Sequence, residues 1–153
     1  MNAPRIPQIM REHESQDVAE LVVLVDEDIC NLRSVRRTLG DLELRVLEFS
    51  SSAAALPVLL ARRPDVIIAE HGLSGLGGVG LSVRARERWG DERPAFVAMT
   101  ASPGDLGDEE RSHYDVVLSK PIRTGELTDA VERAIAVAFA HRRPAQRLRV
   151  AGR

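Results

Sequence analysis

Short apolar runs alternate along this chain with longer segments of helical periodicity. Leu21-Val22-Val23-Leu24-Val25 is continuously apolar, the pattern of a strand buried on both faces. Over 28–39, Ile29, Leu32, Val35, Arg36 and Leu39 recur at helical spacing. Residues 44–49 predict a second strand, and the serines at 50, 51 and 52 offer caps for a helix reaching Arg62. Pro57 is awkward inside that helix, so its regular part is expected to begin near Pro57. A third strand is predicted over 66–69 after the break at Pro64-Asp65, then a flexible glycine-rich loop and a helix from about 79 to Trp89. Residues 95–99 and 115–118 predict strands four and five, with a short helix over 105–112 weakened by glycine. The segment 124–141 is amphipathic, with Leu127, Val131, Ile135 and Ala138 on one face. Five strand–helix units predict a doubly wound α/β fold, a five-stranded parallel sheet with helices on both faces.

Composition narrows this picture without redirecting it. At 153 residues, one folded domain over 20–140 is expected, with a flexible N-terminal arm over 1–19 and a basic C-terminal tail over 141–153. Aromatics make up only 3%, so Val, Leu, Ile and Ala must build the core. One cysteine excludes an intrachain disulfide, and Cys30 on its helix is expected to be a buried small hydrophobe. No leader and no membrane-length apolar run is evident, which predicts a cytoplasmic protein with no membrane partner. The net charge of −2 selects no nucleic-acid partner. Five arginines and no acid follow Ala140, which reads as a solvated tail rather than a nucleic-acid contact.

In an open parallel sheet, ligands bind beyond the carboxyl ends of the strands. Those ends carry Asp26-Glu27-Asp28, Glu70, Thr100 and Ser119-Lys120. Carboxylates, a hydroxyl and an ammonium converging there suit a hard cation and an anionic group. Lys120 is the single lysine beside twenty arginines, and a compact ammonium does not do the work of a guanidinium fork. His71 and His113 lack a second ligand at metal spacing and read as surface or loop residues. Trp89 reads as packing.

Val25-Asp26-Glu27-Asp28, Pro64-Asp65 through Glu70, Thr100-Ala101 and Lys120-Pro121, in this order, resemble the receiver domain of bacterial two-component response regulators. The resemblance covers about 20–139 and implies a flavodoxin-like fold with strand order 2-1-3-4-5. It implies that Asp26 and Glu27 hold Mg²⁺, with the Gly72 carbonyl as a further ligand and residue 70 beside them. Thr100, Ala101, Lys120 and Pro121, the last after a cis peptide, match the pocket for a phosphoryl group, and Gly78 matches the glycine that ends the loop after the acceptor strand.

The departures bear on function. Glu70 stands where the family has its phosphoaccepting aspartate. One extra methylene moves the carboxylate by about one bond length, beyond the ~0.5 Å tolerance of a reacting group. Glu70 instead brings its charge towards Lys120 and Thr100, an incomplete imitation of a phosphoryl group. Val117 occupies the position of the switching aromatic, Leu73-Ser74 replaces the usual Met-Pro, and Gly77 replaces an acid. The expectation is a stand-alone atypical receiver, not itself an enzyme and independent of phosphorylation. Its expected partners are a histidine kinase, a phosphotransferase or another regulator, or a second copy, through the face of the fourth helix, fifth strand and fifth helix. Two alternatives belong to other classes: a phosphatase resembling the haloacid dehalogenases through Asp26 and Asp28, and an adaptor binding nucleic acid through the arginine-rich tail.

Overall fold

A computed structural model describes residues 19–142, so all of the expected N-terminal arm but its last residue, and most of the basic tail, lie outside the described residues. Five strands, β1 (Leu21–Val25), β2 (Arg45–Phe49), β3 (Val66–Glu70), β4 (Ala95–Thr100) and β5 (Val116–Ser119), form one parallel sheet in the order β2-β1-β3-β4-β5. Five α-helices connect and cover it: α1 (Ile29–Leu39), α2 (Ser52–Ala61), α3 (Gly77–Trp89), α4 (Asp108–Ser112) and α5 (Thr124–His141).

Side chains of a strand point alternately to the two faces of its sheet, so each central strand feeds two cores. Val22, Leu24, Ile68 and Val97 pack with Leu32 and Val35 of α1 and Leu127, Val131 and Ala134 of α5. Val23, Val25, Ile67 and Phe96 pack on the other face with Ala55 and Leu59 of α2 and Leu81 and Ala85 of α3. Each such Leu, Ile or Val taken from water stabilises the fold by about 1.5–3 kcal/mol. Asp65 and Asp115 secure the opposite end of the sheet from the polar strand termini. Asp65 accepts from Leu21 N at 2.8 Å and pairs with Arg142 at 2.7 Å, while Asp115 pairs with both terminal nitrogens of Arg93 at 3.0 Å.

Four local expectations are corrected. Helix α2 begins at Ser52 under a Ser51 cap and runs through Pro57. The carbonyl that Pro57 cannot bond belongs to Ala53, and both residues are exposed, so water can satisfy it. Helix α3 begins two residues early, after the chain turns through positive φ at Gly75 (76°) and Gly77 (69°). Helix α4 covers only Asp108–Ser112, preceded by a separate 3-10 turn at Pro103–Asp105. Cys30 is exposed, as is Ile29 at 57%, because the buried stripe of α1 begins at Leu32.

Candidate functional site

The carboxyl ends of β1, β3, β4 and β5 deliver the polar residues into one cleft. Asp26 leaves β1 with 2% exposure, and its backbone N–H still bonds to Phe49 at 3.1 Å. A buried carboxylate needs donors, because losing water without them is costly. Asp26 has three: Asp28 N at 2.9 Å to Oδ1, the Asn31 amide, and Lys120 Nζ at 3.0 Å to Oδ2. Asn31 is held in place by its helix, whose cap is Asp28, accepting from Cys30 N and Asn31 N. Asp28 is therefore exposed and engaged in capping, apart from the cleft.

Lys120 arrives from the end of β5, where its N–H bonds to the Thr100 carbonyl at 2.8 Å, before a cis bond to Pro121. Its ammonium contacts Glu70 Oε2 as well as Asp26. Burial alone would pull its pKa down, but the hydrogen bonds and charges of Glu70 and Asp26 outweigh that and raise it. The ammonium thus lies between two carboxylates from adjacent strands.

Glu27, the next residue, faces elsewhere. Its carboxylate accepts from Ser74 N at 2.6 Å and from Ser74 Oγ at 3.2 Å. Thr100 is buried at 6% exposure, and its hydroxyl accepts from Ser102 N at 3.1 Å; Ala101 beside it is exposed. Gly72 is exposed after β3, next to the Glu70 side chain. Val117 is half-buried on β5 and lines an open groove with Arg111, Tyr114, Arg133 and Val137.

Sequence reasoning missed a second constellation one residue beyond Glu70. His71 Nδ1 meets the Tyr114 hydroxyl at 2.6 Å, and its Nε2 meets Glu110 at 3.0 Å. Burial, helped by the charges of Glu110 and Glu70, pushes the Tyr114 phenol above its usual range, so it stays protonated. Tyr114 also packs on Phe96 and overlies Gly78, where any Cβ would stand 2.7 Å from its oxygen and 3.1 Å from the Glu70 carbonyl. Gly78 is thus required by close approach. His71, read as a loop residue, is half-buried in a bridge from β3 to α4; no spacing signal precedes such a contact.

A divalent ion would need oxygens not already claimed by protein donors. Both oxygens of Asp26 and both of Glu27 accept from protein groups, and Oε2 of Glu70 is in ionic contact with the Lys120 ammonium. Among the described residues, no three acidic, histidine or cysteine side chains are grouped to hold a metal. As arranged, this set does not fit Mg²⁺.

A doubly wound sheet with this strand order and these polar termini defines a CheY-like receiver fold. Residues 22–132 match the response regulator receiver domain, and the chain belongs to that family. The positive alginate biosynthesis regulatory protein of Pseudomonas aeruginosa is 28% identical over 116 residues, covering 74% of this chain and 46% of the relative. The chain therefore spans less than half the length of that curated relative. A CheY-like receiver domain from Methylobacillus flagellatus shares 22% identity over 76% of this chain and 98% of its own, with TM-score 0.69. The receiver domain of a sensor histidine kinase from P. aeruginosa shares 24% identity over 78% of this chain and 99% of its own, with TM-score 0.68. Its structure has a magnesium ion coordinated in the active-site cleft. Helices of the described residues are too short or too polar to cross a membrane.

Proposed function

We propose that this receiver of two-component signalling works by protein contacts and does not depend on phosphorylation of its own acceptor position. The observation that carries this reading is the Lys120 ammonium contacting both Asp26 and Glu70. In-line attack needs a carboxylate free to meet a phosphodonor, and Glu70 is both longer than aspartate and held by the lysine. The internal pair keeps the cleft in one state whether or not a donor is present, so the domain acts as a binding module rather than an enzyme. Its partners are a histidine kinase, a phosphotransferase or another regulator. The groove beside Val117, flanked by Arg111 and Arg133 on the α4–β5–α5 face, supports docking of such a partner or a second copy there.

Incubation with a small phosphodonor and Mg²⁺, followed by intact mass, tests the reading. The wild-type chain is expected to gain no phosphoryl mass, with a kinase-accepted receiver as positive control. A stoichiometric acyl phosphate mapped to Glu70 overturns it.

A further inference from the structure

The contact between Glu27 and Ser74 joins the end of β1 to the loop after β3. Ser74 offers two donors to one carboxylate, its backbone N–H at 2.6 Å and its hydroxyl at 3.2 Å. Hydrogen bonds to an ionised acceptor are among the stronger ones, and paired donors also fix direction. Ser74 is held in place from the other side, because its carbonyl accepts from the Ser52 hydroxyl at 2.9 Å. Ser52 is itself buried at the first turn of α2. Gly75 then turns the chain at φ 76°, so the Ser74 N–H is presented by a fixed backbone rather than by a free loop end. A proline at 74 would remove both donors at once.

The second observation is independent of the first. Lys120 Nζ sits 3.0 Å from Asp26 Oδ2 and contacts Glu70 Oε2, while Asn31 and Asp28 N occupy the rest of Asp26. Magnesium demands near-octahedral oxygen ligands at about 2.0–2.1 Å and gives up its waters reluctantly. To enter here it would have to displace an ammonium from two carboxylates and recover Glu27 from two donors. A divalent charge beside an undisplaced ammonium is electrostatically unfavourable.

We propose that this cleft takes no divalent cation: the Lys120 ammonium is its resident cation, and Ser74 is the positioning residue that withdraws Glu27 from the site. This deepens the proposed function, resting on the same receiver cleft, but its failure is separable because metal binding is measured with no phosphodonor present.

The test is a titration of the ¹⁵N-labelled full chain with MgCl₂, and with Mn²⁺ for paramagnetic broadening, beside Lys120→Gln, Ser74→Pro and Ser74→Ala. The wild type is expected to show no saturable shift at Asp26, Glu27, Glu70 or Gly72 in the millimolar range where weak sites fill. Lys120→Gln and Ser74→Pro are each expected to gain a saturable site there, tighter than wild type by about tenfold or more. Ser74→Ala removes only the hydroxyl and is expected to fall between Ser74→Pro and wild type. Saturation of the wild-type cleft overturns the proposal even if Glu70 never takes a phosphoryl group. Failure of folded Lys120→Gln to gain metal overturns it equally, and that variant decides the matter if Ser74→Pro does not fold.

Discussion

The hydroxyl of Tyr114 meets Nδ1 of His71 at 2.6 Å, and it lies 2.7 Å from where a β carbon on Gly78 would stand. This places a buried phenol on the residue that follows Glu70, and ties the start of α3 to the approach to β5. Removing the oxygen by Tyr114→Phe is expected to cost about 1 kcal/mol, the net worth of a hydrogen bond. Gly78→Ala is expected to cost about 1–3 kcal/mol by overpacking against Tyr114 and the β3 backbone. Because the two changes share one contact, the double variant should be less destabilised than the sum. Urea unfolding of the four proteins checks this, and simple additivity would remove the contact from the account.

Lys120 carries a second prediction. Lys120→Met leaves Asp26 and Glu70 as neighbouring carboxylates without their cation, at an expected cost of about 3 kcal/mol. Neutralising one of them should restore part of the loss, so Lys120→Met with Glu70→Gln is expected to be more stable than Lys120→Met alone. Denaturant midpoints at neutral pH decide it.

At the opposite end of the sheet, Asp115 should govern acid sensitivity. Burial pushes its pKa up, but Arg93, the Phe96 N–H and the charge of His141 outweigh burial and hold it below the ordinary carboxylate value. A depressed folded pKa means the stabilisation is complete above the unfolded value of 3.8 and is lost as pH falls through the lower folded value. Asp115→Asn should therefore lower stability at pH 7 by about 2 kcal/mol and by progressively less below pH ~4. A parallel loss at every pH would contradict this assignment.

Pro57 offers a gain. It lies inside α2 at an exposed position and leaves the Ala53 carbonyl without its helical partner. Pro57→Ala is expected to raise stability by about 1–3 kcal/mol, read as a higher thermal midpoint, since Ala restores the bond and has the better helix propensity.

Much of this site was legible in the chain. The apolar runs ending in Asp26, Glu70, Thr100 and Lys120 place those residues at one end of a parallel sheet, because parallel strands share a direction and their carboxyl ends share an edge. The resemblance supplied roles for them, and the strand order follows it. What could not be read was which acid each donor would choose. Asn31 and Asp28 N reach Asp26 only because α1 caps where it does, and Ser74 reaches Glu27 only because Ser52 and Gly75 fix its loop. His71 and Tyr114 lie 43 positions apart and have no pattern in common.

Periodicity is a local property, and it determined the strands, the helices and the two-sided core of this protein. Proline at 57 and the exposure of Cys30 show its limit, since both depend on which side of a helix meets water. The approach of Glu70 to Lys120 was expected from the sequence, whereas the second contact of Lys120, to Asp26, and the diversion of Glu27 to Ser74 were decided by tertiary structure alone. Hydrogen bonds act over about 3 Å, so angstrom-scale placement of loops selects among partners that the sequence leaves equally available.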